Sequence, residues 1–127
     1  MIVEIKYKSS REIEEWPNLD PRVQAIALWV AYEMRTLWSY QILVTAIHRT
    51  QEEQDAFIKR GLTTSKHSPH MVWRAIDIRL HDLPERERHA SILTHAINKM
   101  WPRNDGLLTA LAHGSGDGYH LHIQVPA

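Results

Sequence analysis

A predicted β-strand with a carboxylate in its middle constrains the fold of this chain most strongly. Residues 73–80 alternate between two faces, as the residues of a strand do. One face carries three aliphatic residues, and the other carries Asp77 between Ala75 and Arg79. A buried carboxylate needs a partner or a metal ion, because an uncompensated buried charge is costly. The fold must therefore bring such a partner to Asp77.

The C-terminal segment repeats this alternation with histidines. In the predicted strand 119–125, His120, His122 and Gln124 share one face, and three aliphatic residues share the other. A His-x-His pair by itself is equally typical of a solvent-exposed sheet face. The pair gains weight because it occurs together with the carboxylate in the earlier strand.

His70 adds a further candidate ligand, seven residues before Asp77. Imidazole nitrogen and carboxylate oxygen bind Zn²⁺ at about 2.0–2.2 Å, and a catalytic site leaves one position open. His70, Asp77 and His122 would supply three such ligands. The chain has no cysteine, which excludes disulfides, thiolate metal sites and a thiol nucleophile. Five other histidines are assigned to surface or structural positions: His67, His81, His89, His95 and His113.

Two helices have clear sequence signals at their ends. The first begins at Asp20-Pro21, where a capping residue precedes a proline suited to the first helical position, and its apolar face extends to Leu37. The second begins with the capping box Thr50-Gln51-Glu52-Glu53 and ends at Gly61. Arg49 therefore lies at a strand-to-helix junction, where side chains commonly project into a site.

The remaining elements complete one predicted α+β domain over residues 1–127. Its sheet is small and antiparallel, carries the zinc site and packs against three helices. A glycine-rich turn joins the last two strands into a hairpin. The third helix has an apolar face that includes Ile92 and Met100. These other elements are predicted as a strand at 2–7, a strand at 42–47, the third helix at 82–101 and a strand at 107–112.

The charge balance and the hydropathy of the chain indicate which binding partners and which cellular location to expect for the protein. Fifteen basic and fifteen acidic residues cancel, which argues against nucleic acid and against a charged membrane surface as partners. The N-terminus lacks the apolar core of a signal peptide, and no apolar run approaches the roughly 20 residues of a membrane span. We therefore expect a monomer that is synthesised in the cytoplasm and does not insert into a membrane.

The combined pattern resembles a family of zinc peptidases. Ser68-x-His70, then Asp77 and the late His120-x-His122, is similar to the D-alanyl-D-alanine carboxypeptidases and L-alanyl-D-glutamate endopeptidases. Members of this family cut peptidoglycan stem peptides, and phage endolysins are among them. The resemblance runs from about Ile42 to Val125.

The resemblance implies a role for each matching residue. Zn²⁺ is held by His70, Asp77 and His122, while Asp117 and His120 match the acid/base or transition-state-stabilising positions. Some members instead use an acid three residues before the zinc histidine, a spacing that Asp117 and His120 satisfy.

Two further positions contact substrate in the family, and one position departs from its pattern. Arg49 matches the arginine that steadies the substrate carbonyl or carboxylate, and Ser68 matches a substrate-contacting serine. Trp73 stands where the family usually has glycine, which affects the local backbone or the pocket but not the ligand spacing.

These implications define the expected function and its alternatives. The leading expectation is a zinc-dependent endopeptidase that cleaves the L-alanyl-D-glutamate bond and acts on the cell wall after release, as a phage endolysin does. The first alternative is a D-alanyl-D-alanine carboxypeptidase or dipeptidase. The second is a non-catalytic zinc-bearing binding module, as in hedgehog-type relatives of the fold. A metal nuclease is disfavoured because the chain lacks a basic surface.

Overall fold

A computed structural model describes residues 4–127 of the chain. The elements are, in order, β1 (Lys6–Tyr7), α1 (Ser10–Glu15), α2 (Pro21–Trp38), β2 (Leu43–Ala46), α3 (Gln51–Lys59), β3 (Ala75–Arg79), α4 (Arg86–Met100), β4 (Ala110–His113) and β5 (His120–Gln124). Short 3₁₀ turns lie at Trp16–Asn18, Pro69–Val72 and Gly116–Gly118. The predicted α+β fold is therefore confirmed.

The five strands form one sheet in the order β1-β2-β3-β5-β4. Its pairs are antiparallel except for the parallel pair of β1 with β2, so the predicted antiparallel sheet is correct for the part that carries the site. In the pairing of β3 with β5, Asp77 lies opposite His122 and Arg79 lies opposite His120. Register thus places two of the predicted ligands side by side.

The two faces of the sheet have different neighbours. One face carries Ile76, Ile78, Leu121 and Ile123, which are fully buried in a core shared with α2 and α4. Helix α2 begins as predicted, because the Asp20 side chain accepts a hydrogen bond from the Arg22 N–H at 2.9 Å. The opposite face is bordered by α3 and by the turn Pro69–Val72, and it carries the candidate site.

Helix α1 was not predicted, and it brings the number of helices in the described range to four. Its sequence signal is a capping box in which the Ser9 side chain accepts from the backbone while Glu12 bonds back to the Ser9 N–H at 2.8 Å. The helix is too short to show an apolar period. Arg11 joins it to α3 through two hydrogen bonds to Glu53, at 2.7 and 2.8 Å.

Some predicted boundaries and faces were wrong. Helix α4 begins at Arg86 rather than at 82, because Glu85 adopts a left-handed conformation with φ of 47° and ends the preceding turn. Strand β4 begins at Ala110 rather than at 107. Three apolar residues assigned to the buried helix faces are exposed: Leu37, Ile92 and Met100. The predicted strand at 2–7 is present at Lys6–Tyr7, and its residues 2 and 3 lie outside the described residues.

None of the helices between residues 4 and 127 combines the length and apolarity needed to cross a bilayer.

Candidate metal centre

Three separate segments bring His70, Asp77 and His122 together. Asp77 and His122 face each other across β3 and β5, and His70 lies in the 3₁₀ turn that precedes β3. Ser68 begins this turn, since its hydroxyl accepts a hydrogen bond from the His70 N–H at 3.2 Å. The Arg49 N–H then donates to the His70 carbonyl at 3.3 Å and ties the turn to the junction of β2 and α3.

The three side chains form a compact group that could hold a metal ion. Their ligand atoms all lie within 4.8 Å of one another, and this is the only such group among residues 4–127. One carboxylate oxygen of Asp77 lies 3.2 Å from His70 Nε2, and the other lies 2.9 Å from His122 Nδ1. The group is sheltered, because His70 is 1% exposed and Asp77 is 9% exposed.

The tautomer of His70 leaves a lone pair directed at this carboxylate. His70 Nδ1 lies 2.8 Å from the carbonyl oxygen of Ile47, which can only accept, so Nδ1 carries the proton. In the neutral ring Nε2 is then an acceptor, and within the described chain it is buried without a hydrogen-bond partner. Two acceptors at 3.2 Å repel each other unless a proton or a cation lies between them. A metal cation fits this gap.

The charges of the group are mutually stabilised. Burial by itself would raise the pKa of Asp77, but the positive charges that His70 and His122 carry when protonated, together with the hydrogen bond of His122, outweigh it and hold this pKa well below its usual range. Burial would lower the pKa of His122, yet the hydrogen bond and charge of Asp77 raise it above the ordinary value. Asp77 is therefore an anion, as a metal ligand must be.

His120 lies beside the metal group with its own tautomer defined. Its Nδ1 lies 2.8 Å from the Gly118 carbonyl oxygen and so carries the proton, while its Nε2 lies 3.8 Å from Asp77 Oδ1. His113 faces it across the hairpin, with ring centroids 4.1 Å apart. Burial, then the charges of His120 and His122, lower the pKa of His113. His113 was predicted to be a surface or structural histidine, whereas the register of the hairpin could have predicted its position beside His120.

These side chains line an open groove of about 640 Å³. Arg49 and Ser68 line it together with the metal group and His120, as the sequence predicted for a common site. The Arg49 guanidinium donates to the Gln54 amide oxygen at 3.0 Å and stacks over the Phe57 ring at 4.3 Å. Further lining residues were not identified from the sequence: Phe57, Leu62, Leu111, His113 and Gln124.

Asp117 lies apart from the other predicted site residues. It is exposed in the 3₁₀ turn Gly116–Gly118 and lines a neighbouring cavity of about 320 Å³. That cavity shares Asp77, Gly118 and His120 with the groove, so the two spaces meet at the metal group. His120 thus lines the groove together with all three candidate ligands, whereas Asp117 shares only the neighbouring cavity with Asp77.

Trp73 has the backbone conformation that glycine favours. Its φ of 64° and ψ of 28° lie in the left-handed region, and its N–H closes the turn on the Pro69 carbonyl. Its ring stacks on His48, with centroids 4.2 Å apart and planes inclined by 13°. The departure from the expected glycine therefore keeps the backbone geometry and adds a side-chain contact.

The fold and the site define an α+β protein with a two-histidine, one-carboxylate candidate metal centre. No protein-family model matches the chain, and no curated protein is similar enough to count as a relative. The chemistry of the site therefore has to be argued from its own residues.

Proposed function

We propose that this protein is a zinc-dependent peptidase that hydrolyses peptidoglycan stem peptides. One observation carries the metal-dependent part of this proposal. His70 Nε2, a buried nitrogen without a hydrogen-bond partner in the described chain, converges with His122 on the Asp77 carboxylate. The choice of substrate is supported by the resemblance of the site residues to the zinc peptidases of the cell wall.

The donor set is one that catalytic zinc sites use, and the resemblance to zinc peptidases favours zinc among the metals that such a set can hold. Two imidazole nitrogens and one carboxylate oxygen, without sulfur, match catalytic zinc sites that keep a fourth position for water or substrate. Zinc at such a site polarises a carbonyl and lowers the pKa of a bound water to about 7. The groove beside the group gives a peptide access to that open position.

His120 has the geometry of a general base. Its Nδ1 proton is held by the Gly118 carbonyl, so its Nε2 lone pair is free to accept a proton beside the metal group. Asp117 is the second candidate for this role, although it lies in the adjoining cavity. His120 is therefore favoured on position.

Arg49 is suited to hold a substrate oxygen. Its guanidinium lines the groove and forms no ion pair with any carboxylate of residues 4–127. Gln54 and the Phe57 ring fix its orientation. A positioned cation of this kind stabilises the oxyanion that develops during amide hydrolysis, or binds a substrate carboxylate. Ser68 contributes less directly, since its hydroxyl already accepts from the backbone of His70.

The groove favours an endopeptidase, and the resemblance to the cell-wall zinc peptidases supplies the L-alanyl-D-glutamate bond as the one cleaved. Because the groove and the neighbouring cavity meet at Asp77 and His120, a peptide can extend to both sides of the metal group. A D-alanyl-D-alanine carboxypeptidase would instead use Arg49 to bind the terminal carboxylate. Both alternatives act on the cell wall after release from the cell in which the protein is made.

The test combines metal analysis with digestion of purified peptidoglycan. The wild-type protein should contain about one equivalent of zinc, and His70→Ala and His122→Ala should each lose most of it. Mass spectrometry of the digest should reveal new N-terminal D-glutamate, whereas free D-alanine would support the carboxypeptidase. Zinc binding without release of either product would identify a binding module. Full zinc retention in both variants would overturn the metal centre.

A further inference from the structure

We propose that Gln124 is a positioning residue that fixes the tautomer of His122 and thereby sets the metal affinity of the site. The inference rests on the metal centre of the proposed function but not on peptide hydrolysis. Gln124 follows His122 by two residues on the same face of β5, and it lines the groove. No role for Gln124 was predicted from the sequence.

The backbone of Leu108 determines which way the Gln124 amide points. Gln124 Nε2 donates to the Leu108 carbonyl oxygen at 3.0 Å, and a carbonyl can only accept. The amide nitrogen must therefore face Leu108. A second bond, from the Gln124 N–H to the Thr109 carbonyl at 2.8 Å, holds the backbone of the same residue.

This orientation directs an acceptor at His122. With its nitrogen facing Leu108, the amide presents Oε1 to His122 Nε2 at 3.1 Å. His122 Nε2 must then carry a proton, since two acceptors do not bond to each other. The remaining nitrogen, Nδ1, lies 2.9 Å from Asp77 Oδ1, and it becomes available to a metal ion when the proton that it donates to Asp77 is released.

The arrangement repeats the one at His70 with the two ring nitrogens exchanged. At His70 the Ile47 carbonyl holds the Nδ1 proton and leaves Nε2 free, whereas at His122 the Gln124 amide holds the Nε2 proton and leaves Nδ1 free. A partner on the far nitrogen fixes the tautomer and raises ligand basicity, and its loss typically weakens metal binding by about 10–100-fold.

Two substitutions separate this role from packing. Gln124→Met keeps the length of the side chain but cannot accept the His122 proton, so the zinc dissociation constant should rise by about 10–100-fold. Gln124→Glu retains an acceptor and should restore the constant to within about threefold of wild type, because a carboxylate also holds an imidazole proton. Gln51→Met is the matched control, since Gln51 begins α3 and bonds to Asp55.

The measurement is competition with a chromophoric zinc chelator, combined with ¹⁵N NMR of the histidine rings. Zinc-loaded wild type should show a protonated Nε2 and a metal-bound Nδ1 at His122, and Gln124→Met should show faster solvent exchange of the Nε2 proton, which has lost its acceptor. Thermal unfolding without zinc checks that each variant is folded. Unchanged zinc affinity in folded Gln124→Met, or coordination of His122 through Nε2 in wild type, would overturn the inference.

The two proposals fail in different ways. A wild-type protein that binds zinc but releases no peptide overturns the peptidase function and leaves the role of Gln124 standing. A peptidase whose zinc affinity is the same in wild type and Gln124→Met overturns the role of Gln124 alone. Wild-type protein that binds no zinc overturns both.

Discussion

Trp73→Gly should be more stable than Trp73→Ala, although a protein is usually more stable with alanine than with glycine at a given position. Both substitutions remove a half-buried ring that stacks on His48. Truncating a fully buried tryptophan costs about 3–5 kcal/mol, so a half-buried one should cost about 2 kcal/mol in the free energy of unfolding. Both variants lose the ring. The difference between their free energies of unfolding therefore reports the backbone conformation of residue 73.

The backbone term follows from the left-handed conformation. A residue with a Cβ atom at φ of 64° lowers the free energy of unfolding by about 1–2 kcal/mol, because its Cβ is crowded there, and glycine avoids this cost. Glycine also lowers the free energy of unfolding by about 0.4–1 kcal/mol relative to alanine, because it gives the unfolded chain more conformational freedom. Trp73→Gly should therefore be more stable than Trp73→Ala by about 0.5–1 kcal/mol.

Trp38 provides a control position at which alanine, not glycine, should be the more stable of the two replacements. It also stacks on a histidine, His89, with ring centroids 4.3 Å apart, but it is the last residue of the right-handed helix α2. There alanine should be more stable than glycine by up to about 1 kcal/mol. Urea denaturation of the four variants in zinc-free buffer measures both differences. If Trp73→Ala is at least as stable as Trp73→Gly, the left-handed conformation of residue 73 does not strain a residue with a Cβ atom.

Three further predictions concern the site and the pH dependence of stability. His120→Ala should retain zinc but lose about 10²-fold or more in turnover, because the general base is removed. Asp117→Ala should lose less. Equal turnover of wild type and His120→Ala would contradict the assignment of His120 as the base. Arg49→Lys should reduce turnover with zinc retained, because lysine cannot reproduce the fork of donors, and steady-state kinetics on a defined stem peptide would reveal it. The hydrogen bond from Arg11 lowers the pKa of Glu53 to about 2, so this pair stabilises the fold above the unfolded pKa near 4.5, and the stabilisation is lost as the pH falls toward 2. Because Glu53 is partly exposed, Arg11→Met should remove only about 1 kcal/mol at neutral pH and little near pH 2; a constant difference between wild type and variant across that range would contradict it.

The sequence determined the features that depend on local periodicity. Strand alternation has a period of two, so it alone established that Asp77 and His122 lie on polar faces opposite the core. The capping box at Thr50 predicted the start of α3, because its hydrogen bonds join residues three apart. The segment Ser9–Glu12 carries the same signal, yet α1 was missed because a six-residue helix shows no apolar period.

Contacts between distant segments decided the rest. The sequence named His70, Asp77 and His122, but their ligand atoms come within 4.8 Å only through the pairing of β3 with β5 and the turn that holds His70. The proton positions on the two histidines depend on Ile47 and Gln124, whose partners are fixed by the fold rather than by spacing along the chain.

The separation of Asp117 from the groove is likewise a tertiary property. Asp117 lies three residues before His120, and both line the neighbouring cavity, but after the turn at Gly116–Gly118 only His120 also lines the groove. Side chains in irregular turns follow no fixed period, so their direction is set by long-range contacts such as the bond from Arg86 to the Gly116 carbonyl at 3.0 Å. Sequence therefore determined which residue types can form this site, and tertiary structure determined which of them meet, because register and turn geometry arise only when distant segments pack together.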